Sequence, residues 1–432
     1  MRILIYSQNY HPEPLGIAPL MTELAEGLAK RGHQVRVVTA MPNYPERTIY
    51  PAYRGKGFVQ EERNGVTIQR CYVWVRPNPG LLARMGLEFS FVGMSFLQSL
   101  WGWRPDVILY TSPALLSCLP VGLLKLIYRC PTVLNLQDIL PEAAIQTNLL
   151  SNPWAIAIFK LIEKFAYRTA DDISVIAEGF RHNLVNKGVG DRKIKTIPNW
   201  VDVNFIRPMD KYENAFRQAH ELGDKFVVLY SGNIARTQGI QTILQAASRL
   251  QHHQDLVFVI VGEKNQLLEL DRSRQKLGLT NVLLHPLVPR AELPEMLAAA
   301  DIGLIMQKRN VVGFNMPSKT QLWLASGRPI IAAVPLEGMA AQAVHKSSGG
   351  VVVQPEDADA LAAAIQHLYT HPTIAAKLGQ QGREYALKEY SAEYALNQYE
   401  VLFKRLIKPR MQPLGTLFRN DAAVPKAIAS KE

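Results

Sequence analysis

Cysteine is scarce in this chain: three residues in 432, at Cys71, Cys118 and Cys130. Their spacing fits neither a disulfide framework nor a cysteine-based metal site. Long apolar runs are missing too. The longest, from Pro113 to Ile127, is interrupted by Pro120 and Lys125. It falls short of the ~20 residues that a spanning helix needs and reads as a buried helix. No secretory leader precedes the opening strand at Arg2, so a reducing cytoplasm is the expected compartment. No window interleaves a basic run with aromatics, which argues against nucleic acid as a partner.

What the chain does have is a dispersed positive charge. The net charge is +11, with +6 in residues 1–205, +2 in 206–407 and +3 in the last 25. A spread excess of this kind suits phosphorylated ligands or an anionic membrane surface. The hydrophobic fraction of 48% is that of a globular protein, and the length allows two or three domains.

One pattern occurs twice. Residues 2–6 (RILIY) read as a strand, followed by the loop YHPEPLGIAP and a helix with Leu20, Leu24, Ala25 and Leu28 on one face. Gly32 then caps the helix before the strand Val35-x-Val37-Val38. The same order returns at Lys225–Tyr230, the glycine-bearing loop SGNIARTQG, a helix over 240–250 and the strand LVFVIVG ending at Gly262. The segment TIPNWVDVNFIRP between them reads as a linker. The expected fold is therefore α/β, with two doubly wound Rossmann-like domains facing across a cleft. Domain limits are set at 1–205 and 206–390. A C-terminal helix (391–407) should cross back to the first domain, and 408–432 should be a disordered tail.

Several short motifs carry a resemblance. Tyr10-x-Pro12, Gly16 and Leu28-Ala29-x-Arg31-Gly32-His33-x-Val35, then Ala298-Ala299-Ala300-Asp301-Ile302 and Ala325-Ser326-Gly327-Arg328-Pro329, resemble the retaining GT-B glycosyltransferases over residues 1–407. PNYP (42–45) and PSK (317–319) are similar to a narrower bacterial group that makes exopolysaccharides such as colanic acid. The resemblance implies a metal-independent hexosyl-type transferase with no cofactor. A nucleotide-diphosphate sugar is its co-substrate, bound mainly by the C-terminal domain, and a lipid-linked or oligosaccharide acceptor sits on the N-terminal one.

The donor is expected at Gly16, Gly232, Asn233, Gly262, Asn315, Ser318 and Lys319, with Arg236 standing in for the missing phosphate-loop residues and Glu263 for the missing ribose-binding glutamate. Free N–H groups at the start of the helix opening at Pro317-Ser318-Lys319 favour an anion, and Lys319 adds a full charge. Asp138 and Glu142, after the strand VLNL, are the expected catalytic carboxylates. Glu13, Asn43 and Tyr44 are assigned to the acceptor side. The chain also departs from the family. Its two customary glutamates fall at Phe314 and Leu322, and the phosphate-loop Arg and Lys fall at Asn233 and Gln238. A nucleotide-sugar 2-epimerase, or a non-catalytic nucleotide- or glycan-binding subunit, are the alternatives. Asp357-x-Asp359 resembles a metal pair but sits at a helix start, where acidic residues are common.

The segment 79–103 places Leu81, Leu82, Met85, Phe89, Val92 and Phe96 along one helical side and ends in Trp101 and Trp103. It is expected to dock peripherally on the inner face of the plasma membrane.

Overall fold

The computed structural model describes residues 1–407 apart from 15, 78–79, 113–114, 140–151, 235–236 and 312–316. Glu142, Arg236, Phe314, Asn315 and the 408–432 tail therefore lie outside the described residues.

Two parallel sheets organise the chain. The first is built from β1 (Arg2–Tyr6), β2 (Gln34–Ala40), β3 (Phe58–Arg63), β4 (Val66–Cys71), β5 (Val107–Thr111), β6 (Thr132–Leu136), β7 (Asp172–Val175) and β8 (Ile194–Thr196). Their order across the sheet is β3-β4-β2-β1-β5-β6-β7-β8. Only the β3–β4 pair is antiparallel, a hairpin that the sequence reading did not anticipate. The second sheet holds β9 (Phe226–Ser231), β10 (Leu256–Gly262), β11 (Val282–Pro286), β12 (Ile302–Met306), β13 (Ile330–Ala333) and β14 (Gly350–Val353). Its order is β11-β10-β9-β12-β13-β14. The central strands are apolar along their whole length because helices cover both faces. Each sheet reverses its winding once, between β1 and β5 and between β9 and β12. A crevice opens at such a reversal beyond the carboxyl ends of the strands.

Several residues of the family-like motifs turn out to be scaffolding. Asp301 accepts hydrogen bonds from Arg217 Nη2 at 2.7 Å and from the Val227 N–H at 2.8 Å, and it also pairs with Lys211. Arg328 Nη2 donates to the carbonyls of Met209 and Ala298 at 2.8 and 2.7 Å. At the other end, Arg31 reaches Glu393 at 2.5 Å and His33 reaches Glu400 at 3.0 Å. These pairs hold the Ala392–Leu406 helix against the first domain, where Leu396, Tyr399 and Phe403 join its core. Gly27 leaves room for Leu396: a Cβ there would lie 2.7 Å from its side chain. The linker is packed as well. Trp200 donates to Glu23 at 2.7 Å, and the Val201 N–H bonds to the Tyr390 carbonyl at 2.9 Å.

The helix expected to be buried within 113–127 differs from that reading. It runs from Cys118 to Tyr128 and buries Val121 and Leu124, but leaves Leu119, Leu123, Leu126 and Ile127 exposed. The Leu81–Ser99 helix also splits its apolar residues. Phe91 is fully buried, Val92 and Phe96 are half-buried, and Leu82, Met85, Phe89 and Leu97 face solvent. Trp103 is half-buried, with the Arg36 guanidinium stacked 5.0 Å from its ring.

Glu88 on the same helix has a carboxylate oxygen without a partner, and burial pushes its pKa up to about 7. Both states are neutral below the unfolded value of 4.5, and above about 7 the folded state bears the full cost of an ionised buried acid. Glu88→Gln should therefore raise stability by about 1–3 kcal/mol at pH 8 and leave it unchanged near pH 4. Thermal unfolding at the two pH values checks this, and equal shifts at both would contradict it.

Candidate active site

The helix start singled out in the sequence lies at the β9/β12 reversal. Residues Lys319–Ser326 form the helix, and Gly327, at φ 70°, ends it in the left-handed conformation that glycine tolerates. Packing fixes its position. Trp323 lies over Gly303 in β12, where a Cβ would overlap the indole. From behind, Arg383 Nη1 donates to the Ala325 carbonyl at 2.7 Å. Arg383 belongs to the Pro372–Glu389 helix, which the sequence reading missed.

Lys319 extends across the switch point onto the loop after β9. A Cβ on Gly232 would overlap Lys319 Cε and sit 2.5 Å from Nζ, so only glycine admits the lysine there. Gly232 also has φ +140°. Among the described residues Lys319 has no carboxylate or hydrogen-bond partner. Its surroundings desolvate the ammonium and lower its pKa. A cation in the first turn is further disfavoured by the helix dipole. Among the described residues the site thus holds an uncompensated positive charge at a helix start.

The rest of the loop is tied down by a residue that the sequence reading did not select. Gln266 accepts from the Ile234 N–H at 3.0 Å and donates to Asn233 Oδ1 at 2.9 Å, while Tyr230 donates to the Asn233 carbonyl at 2.8 Å. Gly262 lets Ile234 approach, since a Cβ there would overlap its side chain. Gln266 sits one turn into the Lys264–Lys276 helix, four positions after Gly262. That spacing from the strand end was the available signal. Glu263 is exposed at the same helix start, and Ser318 is exposed without capping its helix. Thr320 Oγ1 and Gln321 Oε1 are buried without partners in the first turn.

On the first domain, Glu13, Asn43 and Tyr44 come together. The buried Glu13 accepts from the N–H groups of Asn43 and Tyr44 at 2.8 and 2.9 Å and from Asn9 Nδ2 at 2.7 Å. Burial raises its pKa, and these hydrogen bonds oppose the rise. Gly16 is exposed at φ +68°, with open space where a Cβ would stand.

Asp138 follows β6 by two residues. Solvent reaches it, yet the surrounding protein desolvates it enough to raise its pKa, with no charged partner among the described residues as compensation. The strand end beneath it is rigid. Gln137 exchanges hydrogen bonds with Asn199 at 3.0 and 2.7 Å and donates to Asn135 Oδ1 at 2.8 Å. Asn135 in turn donates to Tyr399 at 2.7 Å. The C-terminal helix and the linker therefore both bear on the position of Asp138.

The metal-like pair is otherwise engaged: Asp357 caps the Ala358–Thr370 helix at 2.9 Å and Asp359 pairs with Arg249.

Residues 16–200 match the family described as "Glycosyl transferase 4-like domain", and residues 212–385 match "Glycosyl transferases group 1". The Escherichia coli K12 protein WcaI, described as a colanic acid biosynthesis glycosyl transferase, is 32% identical over 410 residues, 92% of this chain and 98% of its own. This chain is a member of the glycosyltransferase family. The Anabaena protein HepE, solved in complex with UDP, superposes with a TM-score of 0.69 at 18% identity, covering 94% of this chain and 100% of its own. Sucrose-phosphate synthase of Thermosynechococcus elongatus gives 0.70 at 18%, covering 94% and 99%. The architecture of this glycosyltransferase is accordingly GT-B.

Proposed function

We propose that the enzyme moves a sugar from a nucleotide-diphosphate donor to a lipid-linked glycan during exopolysaccharide synthesis. The observation that carries this reading is the unpaired ammonium of Lys319 seated on Gly232 at the sheet reversal. A diphosphate leaving group develops negative charge as the glycosidic bond breaks, and a preorganised cation with helix N–H groups stabilises it most at that moment. Lys319 and the helix start thus supply the charge that a divalent metal supplies elsewhere. Asp138 faces the developing positive charge on the sugar, and transfer retains the anomeric configuration. That HepE was solved with UDP and with UDP-glucose supports a nucleotide-sugar donor. Thermal unfolding with UDP, GDP, ADP and dTDP tests the donor site. The matching diphosphate at ~100 times its dissociation constant adds about 2.7 kcal/mol, and no shift from any of the four would contradict the reading.

A membrane surface as the place of reaction is supported by three helices lying side by side. The outer faces of Leu81–Ser99, Cys118–Tyr128 and Pro153–Thr169 expose Leu82 (81%), Leu126 (73%), Leu161 (69%) and Trp154 (82%), with further apolar residues between them. Among the described residues no helix is long and apolar enough to cross a membrane; the reading is that this face docks on the bilayer surface. Lys160, Lys164, Arg168 and Lys193 border a cavity at its edge and match an anionic lipid surface, each such charge adding ~1 kcal/mol. In sedimentation with anionic vesicles the enzyme should pellet at low salt and be partly released at high salt. Leu126→Glu combined with Leu161→Glu should abolish pelleting; a folded enzyme that stays in the supernatant at low salt would refute the dock.

A further inference from the structure

A second positively charged site lies on the first domain. The loops after β1, β2 and β4 meet the first turns of the Leu81–Ser99 helix around a cavity of about 140 Å³. Its wall includes Arg47, Arg76 and Arg84 and the amides of Gln8, Asn9 and Asn43, and among the described residues no carboxylate lines it. Among the described residues none of the three guanidiniums has an acidic partner. Arg76 stacks on Trp74 with 4.7 Å between guanidinium and ring, which presets its direction. Arg47 is held at φ 54°, in the left-handed region that side-chain-bearing residues seldom occupy. Glu13 lies behind the wall. Its hydrogen bonds fix Asn9 and the Asn43–Tyr44 backbone, so the floor is preorganised.

Three uncompensated guanidiniums converging on a small cavity match a ligand with more than one negative charge, because guanidinium forks bind phosphate oxygens in pairs. The volume is too small for a nucleotide, whose pockets start near ~300 Å³. What adjoins the cavity narrows the ligand further. One turn along the same helix stand the exposed Leu82, Met85 and Phe89, continuous with the apolar face described above. On its other side the amides line the carboxyl ends of β1 and β2, where sugar hydroxyls would need partners.

We infer that Arg47, Arg76 and Arg84 bind the phosphate or diphosphate of the lipid-linked acceptor, with its hydrocarbon chain running along the Leu81–Ser99 helix and its glycan pointing to the strand ends. This deepens the proposed function and rests on it for the acceptor's role, but the pocket makes its own binding prediction. The same phosphate chemistry is present in phospholipid headgroups, and the assignment here is to the acceptor.

The test uses the full-length enzyme and a short-chain prenyl diphosphate kept below its aggregation concentration, with binding read by calorimetry. The wild type should bind the diphosphate at least ~10-fold more tightly than the corresponding prenyl alcohol. Arg47→Gln/Arg84→Gln should lose at least ~10-fold of that affinity while its melting temperature and nucleoside-diphosphate affinity stay unchanged. In transfer assays the double variant should raise the acceptor KM and leave the donor KM alone. Equal affinity for alcohol and diphosphate, or an unaltered double variant, overturns the assignment. So does a wild type that ignores the soluble diphosphate while the variant loses vesicle binding, since the headgroup would then be the ligand. Lys319→Ala keeps the two claims apart. In that variant nucleoside-diphosphate affinity should fall while prenyl-diphosphate affinity stays; a wild type that binds prenyl diphosphate but no nucleoside diphosphate would sink the donor reading and leave this pocket standing.

Discussion

Lys319→Ala should lower transfer activity by ~10²–10³-fold, the range seen when one preorganised group that meets transition-state charge is removed. Affinity for a nucleoside diphosphate should fall much more than affinity for the nucleoside, because only the diphosphate meets the ammonium. Folding should not suffer. The lysine is desolvated, unpaired and at a helix start that disfavours cations, so its removal should leave the melting temperature unchanged or higher. A lysine that merely packs would show the opposite: lower stability and equal changes for nucleoside and diphosphate. Gly232→Ala offers an independent route to the same loss. Its Cβ would occupy the place of the Lys319 side chain, and its backbone sits at φ +140°, so it should weaken diphosphate binding with Lys319 still present.

Asp138→Asn should reduce turnover by at least ~100-fold while preserving shape. The carboxylate is the form that can stabilise a developing cation. Desolvation by the surrounding protein has raised its pKa, so activity should fall with decreasing pH in a limb lying above the ordinary value of 3.8. The asparagine variant should have no such limb. The same raised pKa means that the ionised group costs the folded state stability at neutral pH, so the substitution should not lower the melting temperature. A role limited to capping would leave turnover intact, since asparagine caps as well as aspartate.

The sheets were legible because their central strands are unbroken apolar runs, such as VVLY and LVFVIVG, the first leading into a loop with glycine and the second ending on glycine. The start and stop of the Lys319–Ser326 helix were legible for a local reason, the Pro-Ser-Lys entry and the Gly327 exit. The β3–β4 hairpin went unread because FVQEER has its apolar residues at one end, although Asn64-Gly65 after it is a hairpin-turn signal. The Pro372–Glu389 helix was hidden by Gly379 and Gly382, which look like breakers in sequence. In the fold Gly379 lies against the Gly327 carbonyl, so closely that a Cβ would overlap it. The motif residues Arg31, His33, Asp301 and Arg328 marked the family correctly, yet they act as struts. Pairing over such distances in sequence leaves no local trace. The contact of Lys319 with Gly232 spans 87 positions and could be seen only once β9 and β12 were neighbours. The apolar face was half legible. The Leu81–Ser99 helix could be picked out by its period, but the exposure of Leu126 and Leu161 depends on which helix sides the sheet covers.

The central claim is sugar transfer from a nucleotide diphosphate bound at Lys319 to a lipid-linked acceptor. The most direct measurement incubates the enzyme with a nucleotide sugar and a prenyl-diphosphate-linked glycan, and follows released nucleoside diphosphate and extended lipid together. The account predicts equimolar appearance of both, dependent on the acceptor and reduced ~10²–10³-fold in Lys319→Ala. Nucleotide release that is independent of acceptor, or extension that proceeds unchanged in Lys319→Ala, would contradict it.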